Sequence, residues 1–489
     1  MRGLNLLLAL ILLVPTLAAA QASPPPQLPL PPHVPSQKEM AGRIREQFLH
    51  AWSGYHQYAW GHDELRPLSN QPFDWYGASL LMTPVDALDT MILMGLNQQA
   101  DEDRQLIDTQ LSFDKDIYVK NFEITIRMLG GLLSSYQLTN DPRLLALADD
   151  LGARLLPVFD SPTGMPYVWV NLKTGAVRGE NTNPAEVGTL LLEFGTLSRL
   201  THKPVYYNKA KAAVVALWSR RSPLNLLGSE INVRTGQWTD PTANINGGSD
   251  SYYEYLLKAW LLFHDEDCHR MWLASVAALN QYVAQTVTNP DKSTSLWYGE
   301  ADMTTGARTG TQYGALAAFF PGTLALSGDL DRARQLQNSN YRLWTLTGIE
   351  PELIDYTNMK ILSSGYQLRP ENIESAYYLE YFTHDPLYRE MGLDYFDSIV
   401  RFCRTPSAFA AIANVRLLPD TAGQPVWKLG APTESPQAAR LWQRDDMESF
   451  FFAETMKYLY LLLADPQRVD LSKTVFNTEA HPLNILPAQ

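Results

Sequence analysis

Four short stretches hold the carboxyl groups most able to do chemistry. They are Phe122-Glu123-Ile124-Thr125-Ile126-Arg127, Gly248-Ser249-Asp250-Ser251-Tyr252-Tyr253-Glu254, Arg369-Pro370-Glu371-Asn372-Ile373-Glu374, and Met447-Glu448-Ser449-Phe450-Phe451-Phe452-Ala453-Glu454. Each falls where a loop enters an expected helix, and spacings of three or four put Glu371 with Glu374, and Glu123 with Arg127, on one helical face. A single acid in a first turn needs no chemical role, because the helix dipole stabilises it. Four such clusters at equivalent boundaries ask for more. Glu454 lies in an apolar run that desolvates its carboxylate unless a cation or polar ligand meets it. The chemistry indicated is a ring of acids converging on such a ligand.

Other chemistries lack their signatures. The chain has no Gly-x-Ser-x-Gly elbow, no Walker loop, no G-x-G-x-x-G fingerprint and no His-Glu-x-x-His pair. His264 to His269 falls at an expected turn without four ligands at zinc spacing. A net charge of −13, from 39 basic and 52 acidic residues, repels phosphate backbones and anionic surfaces and argues against nucleic acid as a partner.

The elements that must position these acids read as helix after helix. After a first helix carrying Ile44, Phe48, Trp52 and Tyr55, the pattern predicts helices over 85–96, 122–138, 142–155, 185–200, 205–218, 251–263, 271–284, 315–326, 329–343, 371–382, 386–402 and 448–463. Strand-like alternation is confined to short pieces such as 165–170 and 474–476. Similar turns, Leu138-Thr139-Asn140-Asp141-Pro142, Leu200-Thr201-His202-Lys203-Pro204 and Phe382-Thr383-His384-Asp385-Pro386, recur at multiples of roughly 60 residues, which signals stacked helical hairpins. The array is an open solenoid or a closed barrel. A length of 489 residues allows about three domains, yet no composition break interrupts residues 36–489, so one domain is expected.

Residues 1–22 read as a cleaved signal peptide: Arg2, a leucine-rich run too short to span a bilayer, then small residues ending at Ala22. Residues 23–35 read as a proline-rich linker. The S-x-x-E capping box of Ser36 and Glu39 then opens the folded part. An exported protein without a membrane anchor is expected. Its two cysteines, Cys268 and Cys403, read as free thiols.

The acidic stretches and several others together resemble the class I α-1,2-mannosidases, glycoside hydrolase family 47. The resemblance runs in family order through Ala51 to Tyr55, Tyr58 to Pro67, Val85 to Thr90, Phe122 to Gly131, Asp250 to Lys258, Leu368 to Ser375, Ser449 to Tyr460 and Val475 to Leu483. It implies an all-α fold, an (α/α)7 barrel with a short C-terminal β-hairpin plugging one end, and Ca2+ at the cavity floor. It implies that Thr478 ligates the ion through its carbonyl and hydroxyl oxygens, with Glu371, Glu374, Glu454 and Glu479 holding the ion's waters. The reaction implied is hydrolysis of terminal α-1,2-linked mannose from an oligosaccharide with inversion, which needs one carboxyl as acid and one as base. Glu371 matches the family's base. Glu123 acting through a water is the first choice for the acid, and Asp250 competes with it. Arg127, Arg369 and Phe450 would line the mannose site, although the Glu123–Arg127 spacing also fits a structural ion pair.

Two departures stand out. Gly248 occupies a position where relatives carry a larger residue, which leaves branch preference open. The usual cysteines are missing, with Phe319-Phe320-Pro321-Gly322 following Ala318, which favours a bacterial, periplasmic or secreted enzyme; a monomer is expected. Two other classes compete: a mannose-binding relative without turnover, and another helical-barrel glycan hydrolase or lyase.

Overall fold

Ser36 and Glu39 form the expected capping box: the serine hydroxyl accepts from the Glu39 amide, and the glutamate carboxylate accepts from the Ser36 amide. The helix that follows, Gln37–Tyr58, is the first outer helix of the barrel. The computed structural model describes residues 34–421, 425–429 and 435–485, so the expected signal peptide and nearly all of the linker lie outside the described residues.

Seven inner helices make the barrel wall: Met82–Met94, Gly130–Thr139, Leu191–Thr201, Asp250–Phe263, Phe320–Leu326, Glu371–Thr383 and Met456–Leu463. Each packs on the next, and the last packs back on the first, so the ring closes and the open solenoid is excluded. Each also packs on one outer helix: Asn97–Gln110, Pro142–Leu155, Pro204–Trp218, Glu266–Ala278, Leu330–Trp344 and Pro386–Cys403 in turn, with Gln37–Tyr58 covering the last. The chain is an (α/α)7 barrel.

Sequence and layer agree. In the outer helix Pro142–Leu155 the buried residues are Leu144, Ala148, Leu151, Gly152 and Leu155, one stripe at helical spacing. In the inner helix Met456–Leu463 every residue is buried. The linking turns are tight: Asn140, His202, His264 and His384 all take left-handed φ of 53 to 58°, and Asp141, Asp265 and Asp385 then cap the outer helices.

The sequence reading passed over the outer helix Asn97–Gln110. Its sequence, NQQADEDRQLIDTQ, buries only Ala100, Asp103, Leu106 and Ile107, too thin a stripe to register as periodic. The reading also missed most of the sheet structure. Four small three-stranded antiparallel sheets join successive loops at one rim. In each, a strand leading into an inner helix, such as Tyr118–Lys120 before Asn121, is pinned by a hairpin from the next loop, here Trp169–Asn171 with Val177–Arg178. Strands of two to four residues are too short to show alternation. The expected C-terminal hairpin is present, pairing Thr474–Phe476 with Pro482–Asn484.

Cys268 and Cys403 are buried and free. Among the described residues no helix is long and apolar enough to cross a membrane.

Candidate active site

The four acidic stretches enter the barrel as two tiers. Glu123 lies in the short helix Asn121–Ile124, Asp250 and Glu371 each open an inner helix, and Phe450 immediately precedes the π-helical turn that leads into Met456–Leu463. One turn further along the same helices stand Arg127, Glu254, Glu374 and Glu454. Two of these inner helices carry a π-helical turn at this level, Thr125–Leu129 and Phe451–Thr455. Such turns are rare and recur at functional sites; here they carry Arg127 and Glu454.

The tip of the C-terminal hairpin closes the space from the opposite end. Asn477 Nδ2 donates to the Ile126 carbonyl at 2.9 Å and to Glu193 Oε1 at 2.8 Å, while its Oδ1 accepts from the amides of Glu479 and His481. The Thr478 amide donates to the Tyr255 hydroxyl at 3.3 Å. Gly130 and Gly131 admit this approach, since a Cβ on the first would lie 2.6 Å from Asn477 Nδ2 and on the second 3.2 Å from His481 Cε1. The tip thus meets the wall at the second tier, about one helical turn below the first.

The cavity holds about 320 Å³, within the usual range for a small-ligand site. All ten residues singled out in the sequence line it: Glu123, Arg127, Asp250, Arg369, Glu371, Glu374, Phe450, Glu454, Thr478 and Glu479. Glu254, Glu448, Trp75 and Gln367 also line it and were not singled out. Glu254 and Glu448 stood inside the acidic stretches, so helical spacing could have found the first. Trp75 and Gln367 lie in loops with no such signal.

Arg127 ties the tiers together. It donates twice to Glu123 Oε2, each at 3.1 Å, and once to Glu479 Oε1, and lies 3.8 Å from Glu448. Its guanidinium sits over the Trp75 ring at 5.1 Å and the Phe450 ring at 5.5 Å. Arg369 pairs with Glu352 at 3.1 Å and approaches the Phe450 ring at 5.9 Å. Phe450 therefore contacts both cations that line the cavity.

Negative charge outweighs them. Burial pushes the Asp250 and Glu371 carboxyls up to about 7. Burial also raises Glu374 and Glu479 to about 8, against the pull of Lys258 on the first and Arg127 on the second. Glu454 is raised by burial and then by its acidic neighbours. Glu371 Oε2 is buried without a hydrogen-bond partner.

The residues suit a hard cation held partly through water. Thr478 has no side-chain hydrogen bond within the described residues, and the buried acids around it lack matching positive charge. No group of three or more His, Cys, Asp or Glu among the described residues could hold a metal by itself. The Thr478 oxygens, set among the buried carboxyls of Glu371, Glu374, Glu454 and Glu479, fit an ion bound by threonine oxygens and water, with carboxylates accepting from the water.

Beneath the floor a second buried charge cluster locks the hairpin. His481 Nδ1 lies 2.7 Å from Asp89 and its Nε2 3.3 Å from Asp86. Lys457 pairs with Asp89 at 2.8 Å and donates to the Ala480 carbonyl at 2.7 Å. Burial opposes charge here too, yet Lys457 and His481 hold Asp89 down at about 2, and the aspartates lift His481 to about 9.

Gly248, the departure from the expected pattern, lies at φ +91°, a left-handed position that favours glycine. Its carbonyl accepts from the Ala185 amide at 2.9 Å.

Comparison with known proteins matches residues 47–485 to the family model described as glycosyl hydrolase family 47. "Alpha-mannosidase I MNS4" of Arabidopsis thaliana is 38% identical over 471 residues, covering 92% of this chain and 70% of its own. "Endoplasmic reticulum mannosyl-oligosaccharide 1,2-alpha-mannosidase" of Homo sapiens is 34% identical over 503 residues, covering 96% and 68%. Among solved structures, "alpha-1,2-mannosidase from Trichoderma reesei" superposes with a TM-score of 0.78 at 28% identity, covering 91% of this chain and 99% of that one.

Proposed function

The chain belongs to glycosyl hydrolase family 47 and is a glycoside hydrolase of a mannosidase family, and we propose that it releases single terminal α-1,2-linked mannose residues from oligosaccharides, with inversion and with Ca2+ bound. The observation that carries this reading is a cavity with acids on its wall and a closed floor about one helical turn, roughly 5 Å, below the entry ring. That depth suits one sugar ring, so a chain end enters and the rest of the glycan stays outside.

Glu371 is the base in this reading. It opens an inner helix, its Oε2 has no protein partner, and a carboxyl near 7 accepts a proton from water at neutral pH. Two carboxyls compete to protonate the departing oxygen. The burial that lifts Asp250 to about 7 favours it as donor, whereas Glu123 already accepts two hydrogen bonds from Arg127. Phe450, flanked by Arg127 and Arg369, forms the apolar face against which the ring packs. Thr478 would hold Ca2+, with waters shared among Glu371, Glu374, Glu454 and Glu479. When bound, the ion supplies Lewis-acid polarisation and a grip on vicinal hydroxyls.

The signal-like N-terminus supports export, and the missing family cysteines favour a bacterial cell as the source. The deciding assay offers α-1,2-, α-1,3- and α-1,6-mannobiose with and without Ca2+, reading the anomer released by NMR. Selective release of β-mannose from the α-1,2 compound, lost on chelation, is expected. Full activity after exhaustive chelation, or α-mannose as first product, overturns the mechanism.

A further inference from the structure

Most polar side chains lining the cavity are already joined to another residue. Glu123 and Glu479 hold Arg127, Asp250 accepts from Ser251, Glu254 holds Lys258, Arg369 holds Glu352, and Glu374 accepts from Tyr458. Among the described residues the exceptions, with no hydrogen bond or salt bridge from the side chain to another residue, are Glu371, Glu454, Thr478 and Gln367. The hydrolytic reading accounts for the first three through the attacking water and the hydrated cation. It leaves Gln367 unused.

Gln367 stands four residues before Glu371, in the loop that enters the same inner helix, so it lies on the mouth side of the proposed base. Its position is fixed from all sides. The Gln367 amide donates to Glu352 Oε1 at 3.0 Å, and Tyr366 pairs with Ile412 in both directions. Leu368 takes a left-handed φ of 61°, and its carbonyl accepts from the Thr455 hydroxyl at 2.6 Å. A non-glycine residue at positive φ is costly and persists only where neighbours over-determine it. Gln367 lines the cavity whose floor takes the terminal sugar, and it brings to that lining a primary amide with one acceptor and two donor hydrogens and no side-chain partner among the described residues.

We propose that Gln367 is a specificity-determining residue that hydrogen-bonds hydroxyl groups of the leaving sugar, the second residue of the glycan, as it lies between the mouth and the cleaved bond. This inference rests on the hydrolytic reading above. Such a residue discriminates by leaving group and not by the sugar bound at the floor.

The test compares kcat/KM on α-1,2-mannobiose with kcat/KM on α-mannosyl fluoride, whose leaving group carries no hydroxyl. Gln367→Leu keeps most of the bulk and removes both hydrogen-bonding functions, and Gln367→Ala removes the bulk as well. In both, the ratio of mannobiose to fluoride is expected to fall about tenfold, the effect of one or two lost hydrogen bonds. An unchanged ratio, whether both rates fall together or neither moves, overturns the assignment. If the wild-type protein releases mannose from neither compound, the hydrolytic reading itself fails; if it does release mannose and the ratio holds in the variants, only the role of Gln367 fails.

Discussion

The two sides of the cavity floor use the same residue types and reach opposite electrostatic outcomes. Above it, Asp250, Glu371, Glu374 and Glu479 rise to about 7 or 8 because burial is only partly answered by cations. Below it, Asp89 falls to about 2 because Lys457 and His481 stand within 2.8 Å. A buried charge stabilises structure where its partner is built in, and waits for a ligand where the partner is left out. The upper cluster is kept uncompensated at some expense in stability, and the lower one holds the hairpin that makes this tolerable.

The comparison breaks most severely if Glu371→Gln leaves turnover intact. A loss of about 10³-fold in kcat with sugar binding retained is expected, read by steady-state kinetics and by calorimetric titration with mannose. Below the floor, Asp89→Asn should act on stability instead, costing about 3–5 kcal/mol by leaving Lys457 and His481 short of a counter-charge, measured by urea unfolding. Because the folded pKa of Asp89 is depressed, its contribution is complete above about pH 4 and disappears as pH falls towards 2, so the variant should lose acid sensitivity in that window.

A third measurement addresses the upper acids as a group. Their raised folded pKa values mean that the folded state retains protons the unfolded chain has released, so without metal the unfolding free energy should fall as pH rises from about 4 to about 8. Ca2+ at a fixed concentration, about a hundredfold above its dissociation constant at pH 7, should restore about 2.7 kcal/mol there, more at pH 8 and less at pH 5. Equal stabilisation at both pH values would detach the ion from these carboxyls. The smallest effect concerns the seam between the wall and the hairpin: Gly131→Ala puts a Cβ 2.8 Å from the Val85 carbonyl and 3.2 Å from the His481 ring, and should cost about 1–2 kcal/mol, seen as a lowered Tm.

The upper cluster was legible in the sequence and the lower one was not, although both lie in stretches that carry the family resemblance. Glu371 with Glu374 and Glu123 with Arg127 declare themselves by helical spacing at a loop boundary. Asp86, Asp89, Lys457 and His481 are scattered over residues 86–481, and their pairing exists only once the ring closes. The available signal was weaker: charges inside helices buried almost all round, such as Lys457 in Met456–Leu463, must have partners somewhere. The thin stripe of Asn97–Gln110 hid the fourteenth barrel helix, and the rim sheets were too brief to show a period. Trp75 and Gln367 entered the cavity from loops, where spacing carries no geometric meaning.

Ring closure has a consequence for synthesis. The wall segment that completes the circle and the hairpin that seals it lie within residues 451–484, so a nascent chain emerging from the ribosome builds six-sevenths of an inner wall before it has any base. Until those residues arrive, the acids already made line a tube that lacks Glu454, Thr478 and Glu479. A chain stopped before residue 451 lacks both the closing wall and the floor, and is expected to be inert rather than partly active.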